Sequence, residues 1–86
     1  MSIDEALETL EGPRAPRRFR ELLAIVTLFF GAPRIHGSHH VFKMPWGGDP
    51  RINLQEDGSQ AKPYQVHQVI RALKKLQETG GETNAR

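Results

Sequence analysis

Apolar residues fall along this chain in two rhythms, and the switch between them marks out its elements. Ile3, Ala6, Leu7 and Leu10 recur at helical spacing. Ser2 and Glu5 stand ahead of them at the separation of a capping box, so the first segment predicts a short amphipathic helix. Gly12, Pro13 and Pro16 end it and open a basic linker that runs through Arg18. Phe19, Leu22, Leu23, Val26, Phe29 and Phe30 then follow the i, i+3, i+4, i+7 rule. They predict a second helix, with its aromatic residues in the core, stopped by Gly31 and Pro33.

The rhythm then shortens to two. Pro33 to His36, His39 to Met44 and Arg51 to Gln55 read as three strands. Gly37-Ser38 makes the first turn between them, and the breaker-rich Pro45-Trp46-Gly47-Gly48-Asp49-Pro50 makes the second. The strands predict an antiparallel meander, followed by a turn around Asp57-Gly58-Ser59. A last helix starts near Pro63, a residue suited to a first turn. Its apolar face is Val66, Val69, Ile70, Leu73 and Leu76, and His67, Arg71, Lys74 and Lys75 form a basic ridge beside it. Gly80-Gly81 is expected to end this helix. The expected class is α+β: an α-β-β-β-α two-layer sandwich, plus the extra N-terminal helix, with one sheet face left free. The expected organisation is an N-terminal helix and linker over 1–18, the main domain over 19–78, and a disordered tail over 79–86.

Length and charge narrow what such a domain does. Its 86 residues make one small domain. A chain of this size buries only about 60% of its unfolded surface, so a surface groove is expected rather than a deep pocket. There is no Cys, which excludes disulfides and thiolate metal sites and fits a cytoplasmic setting. The net charge is only +2, but it is unevenly spread. Asp4, Glu5, Glu8 and Glu11 crowd the start, whereas Arg14 to Lys75 is strongly cationic. That middle is the footprint of a polyanion-binding surface. No apolar run is long enough to span a bilayer, and the acidic Met1 to Leu10 is no secretory signal.

Against this background the run Gly37-Ser38-His39-His40-Val41-Phe42-Lys43 carries the candidate chemistry. Histidine exchanges protons near neutral pH, where carboxylates and lysines mostly do not. RNA cleavage through the 2′-hydroxyl needs a base, an acid and cations around the phosphorus. His40 with Lys43, and with Arg34 or Lys62 brought close by folding, meets that demand. Strand alternation sends His39 and His40 to opposite faces, so at most one of them serves a given site. Both residues also fit as plain strand positions, and His36, His39 and His40 admit a metal reading that lacks a carboxylate or thiolate. Trp46 either stacks on a base or packs over its hairpin, and packing is the expectation.

Gly37-Ser38-His39-His40-Val41-Phe42, then Arg51-Ile52-Asn53-Leu54-Gln55, then Lys62-Pro63-Tyr64-Gln65-Val66-His67-Gln68-Val69, together resemble the HicA toxins. These are messenger-RNA interferases of HicA–HicB toxin–antitoxin pairs. The resemblance runs from about Phe19 to Leu76. It implies a fold like that of double-stranded-RNA-binding domains and an endoribonuclease that needs no cofactor or metal. Its expected partners are mRNA and a HicB-type antitoxin. By this resemblance the last His of Gly-Ser-x-His is catalytic, here His40, with His39 at the variable position. Gly37 and Ser38 match the turn that presents the imidazole, and from the charge pattern Lys43, Arg34, Lys62, His67, Arg71 and Lys74 are expected to hold RNA. The chain departs from the family after the third strand, where Leu54-Gln55-Glu56-Asp57 replaces a Pro and a second His. A non-catalytic RNA-binding module on the same fold, and an interaction protein with a basic docking face, are the alternative readings.

Overall fold

In the computed structural model, which describes residues 1–81, the three helices begin with the same local device. Each has Glu or Gln at its third position, and that side chain accepts a bond from the cap residue's own N–H. In α1 (Ile3–Glu11), Ser2 N–H donates to Glu5 Oε1 at 2.8 Å and Glu5 N–H donates back to Ser2 Oγ at 3.1 Å. In α2 (Phe19–Phe30), Arg18 N–H donates to Glu21 Oε1 at 3.3 Å. In α3 (Pro63–Leu76), Lys62 N–H donates to Gln65 Oε1 at 2.9 Å.

The strands are β1 (Arg34–His36), β2 (His39–Phe42) and β3 (Ile52–Gln55), antiparallel in the order β1-β2-β3. The described residues therefore form a small α+β domain of three α-helices and one three-stranded antiparallel sheet. The strands are shorter than the alternation predicts, since β2 stops at Phe42 and Pro45 lies just beyond. Helical winding runs to Gly81, where Gly80-Gly81 was expected to end it, but its last turn, Gln77–Gly81, is π-helical, with Thr79 Oγ1 donating to Lys75 O at 2.9 Å, so 79–81 of the expected tail are helical. The rest of the expected tail, 82–86, lies outside the described residues.

One core serves all these elements. Phe42, Ile52 and Leu54 project from one sheet face to meet Phe19, Leu22 and Val26 of α2 and Val66, Val69, Ala72 and Leu73 of α3. The N-terminal helix joins the same core through Ala6, Leu7 and Leu10, all buried. It lies along α3, where Glu11 pairs with Lys74 at 3.1 Å. The linker after α1 is fastened as well. Phe19 N–H donates to Ser59 O at 2.8 Å and Ala61 N–H to Arg17 O at 2.9 Å, tying the start of α2 to the segment that leads into α3.

Trp46 packs, as expected. Its ring meets Phe30 edge-on at 6.1 Å and Lys75 Nζ sits 5.6 Å from its centroid. Its indole N–H donates to Pro50 O at 2.8 Å, which closes the β2–β3 loop around the ring. Among the described residues no helix is long and apolar enough to cross a membrane.

Candidate nucleic-acid interface

Strand parity decides which imidazole is available. His40 lies opposite Leu54 on β3 and two residues before Phe42, so it shares their inward face. Its ring is buried, with 6% of its surface exposed, and meets Phe19 edge-on at 5.2 Å. Its Nδ1 is fully covered and has no hydrogen-bond partner. The expectation of an uncovered ring at residue 40 is corrected here: the apolar residues that share its parity pull it into the core.

His39 points the other way. It lies on the uncovered sheet face, exposed, with Nδ1 3.1 Å from Asn53 Oδ1. A carbonyl oxygen only accepts, so Nδ1 is the donor in this pair, and Nε2 points away from it. The β1–β2 register sets His36 directly across from His39 and Arg34 across from Val41. Opposed residues share a face with Cβ atoms about 5 Å apart. Two imidazoles and a guanidinium therefore gather on one open surface, next to Asn53 and Gln55 of β3.

The hairpin turn fixes this arrangement. Gly37 has φ +60° and Ser38 does not enter the positive-φ region. A turn with only its first central residue at positive φ is of the II′ kind and sets a tight two-residue register. Ser38 Oγ accepts from Gln55 Nε2 at 3.4 Å and Ser38 O accepts from Glu56 N–H at 2.7 Å, so the turn is also tied to β3. Beyond β2 the surface continues into a groove whose walls include Lys43, Trp46, Arg51 and Asn53. Asn53 belongs to both regions.

The other predicted residues lie elsewhere. Lys62 caps α3 and its Nζ donates to Asp57 Oδ2 at 2.7 Å, so its charge is already partnered. Hydrogen bonding to Lys62, and then its charge, hold the Asp57 carboxyl below its ordinary range, and the same contact raises the Lys62 ammonium. His67 and Arg71 stand exposed on α3 and border a shallow groove with Tyr64. Lys74 shares their ridge but is paired with Glu11. The predicted set thus splits in two. Arg34, Gly37, Ser38 and Lys43 belong with the open sheet face, and Lys62, His67, Arg71 and Lys74 with the helix layer.

The residues that complete the open face are His36, His39, Asn53, Gln55 and Arg51. Ile52 and Leu54 held the signal for the β3 part of this face, because inward parity at those two positions sends 51, 53 and 55 outward. Among the described residues no three His, Cys, Asp or Glu side chains gather as metal ligands. No family model, curated protein or solved structure matches this chain.

Proposed function

We propose that the chain is an endoribonuclease of the HicA type, a toxin that cleaves messenger RNA and is silenced by a HicB-type antitoxin. The fold proposed for it is the double-stranded-RNA-binding-domain arrangement. The observation that carries the reading is the open sheet face, where Arg34, His36 and His39 converge and no described element covers them.

The proton-carrying role moves from His40 to His39. Bonded to Asn53 through Nδ1, His39 offers Nε2 to a ribose 2′-hydroxyl as a general base. His36, one strand away, protonates the leaving 5′-oxygen, and Arg34 stabilises the charge on the phosphorane. The bond that forms is 2′-O to phosphorus and the bond that breaks is phosphorus to 5′-O, so the first product is a 2′,3′-cyclic phosphate. Lys43 and Arg51 extend the phosphate track along the Trp46 groove. His67 and Arg71 offer a separate patch for an RNA backbone.

The test is cleavage of a defined RNA by protein purified free of host nucleases. His39→Ala is expected to lose about 10²–10⁴-fold in rate, the usual share of a general base. His40→Leu is expected to cleave like the parent. Full activity in folded His39→Ala rules out the assignment. The burial of His40 also favours a second reading, a non-catalytic RNA-binding module. It predicts salt-sensitive binding with no cleavage by the parent protein and no growth arrest on expression.

A further inference from the structure

The two edges of the sheet are finished differently. On β3 the groups that point away from the sheet are taken up by α3. Asn53 N–H donates to Gln68 Oε1 at 2.6 Å, and Gln65 Nε2 donates to Gln55 O at 2.8 Å. These bonds also fix the phase of the ladder. If Asn53 and Gln55 face outward, then His40 and Phe42 bond to β3, while His39 and Val41 bond to β1. On β1, Arg34 and His36 therefore bond inward, and Ile35 turns its N–H and C=O to the free edge. No described side chain caps that edge, and the Ile35 side chain is 62% exposed.

We propose that the outer edge of β1 is a docking edge for an extended acidic segment of a partner protein, added as a fourth strand. The charge pattern selects that occupant. The three strands, Arg34–His36, His39–Phe42 and Ile52–Gln55, contain no Asp or Glu. Arg34 and His36 flank Ile35 on the open face, so carboxylates at alternate positions of an added strand meet them. The intervening apolar side chain lies beside Ile35. A second copy of this chain is the poorer occupant. Antiparallel pairing about Ile35 sets Arg34 of one copy against His36 of the other, so neither guanidinium meets a carboxylate. The inference goes beyond the ribonuclease reading and does not depend on it, because backbone pairing at this edge needs no catalytic group.

The probe is a short synthetic peptide of alternating Glu and Val, titrated into ¹⁵N-labelled protein. The Ile35 amide is expected to shift and to gain protection from exchange. Ile35→Pro deletes the outward N–H and leaves the inward ladder bonds in place, as Pro on an edge strand does. It is expected to melt close to the parent and to lose peptide affinity roughly tenfold, the loss of one well-made hydrogen bond. Arg34→Glu is expected to lose the acidic peptide and to gain binding of an alternating Lys-Val peptide. The proposal is overturned if the parent does not bind, if both variants bind like the parent, or if the shifts map to the α3 ridge. A dimer in sedimentation that Ile35→Pro abolishes overturns it too, in favour of the second copy.

Discussion

At the scale of residues, the contrast between two neighbouring histidines is the sharpest feature of the chain. His40 is a polar ring in an apolar setting, with one nitrogen that bonds to nothing. Leaving such a group buried costs about 1–3 kcal/mol, so an apolar replacement of similar bulk relieves a penalty. His40→Leu is expected to stabilise the fold by about 1 kcal/mol, read as a higher urea midpoint at unchanged slope. A lower midpoint contradicts the burial argument. Which histidine turns inward was only half legible in the sequence. Alternation alone separates 39 from 40, but Val41 and Phe42 are both apolar and leave the direction open. Ile52 and Leu54 on the facing strand settle it, and only the register brings them opposite Phe42 and His40.

At the scale of elements, periodicity predicted all three helices because each buries one continuous stripe, and their stops are Gly and Pro. The ends of the strands were less legible, since hydrogen-bonded pairing rather than composition sets them. Gln65 shows what composition hides. It reads as a polar helix residue, yet it is 1% exposed and holds both the Lys62 cap N–H and the Gln55 carbonyl. Gln65→Leu strands both groups and is expected to cost about 2 kcal/mol in chemical denaturation. The Asp57–Lys62 pair fastens the loop before α3 in a pH-dependent way. A carboxyl whose folded value is lowered stabilises above its unfolded value, and that contribution is lost as pH falls through the folded one. An ammonium whose folded value is raised stabilises below its unfolded value and loses that contribution as pH rises through the folded one. The pair therefore holds across the neutral range and fails at both extremes. The exchange protection of the Phe19 and Ala61 amides, which bond across this loop, is expected to fall once pH drops below the ordinary carboxyl value of 3.8. Asp57→Asn is expected to remove that acid limb and lower the protection of the same two amides already at neutral pH.

At the scale of the whole molecule, α1 is a structural member of the domain. The sequence announced the helix but not its seat, because an amphipathic stripe does not name the surface that covers it. Leu7 and Leu10 are buried with Ala6, and a fully buried Leu contributes about 1.5–3 kcal/mol. Leu10→Ala is expected to cost about 3 kcal/mol and to lower the melting temperature by roughly 12–24 °C at the usual sensitivity of small domains. A drop of only a degree or two in a calorimetric scan contradicts that placement.

The chain has a single tryptophan, and it sits where the end of α2, the end of α3 and the β2–β3 loop meet. That gives the protein a built-in optical reporter. Excitation at the red edge of the absorption band follows one indole whose surroundings depend on three elements at once. Its emission colour is expected to shift in a single step when the domain unfolds, and a second step exposes any unit that comes apart early.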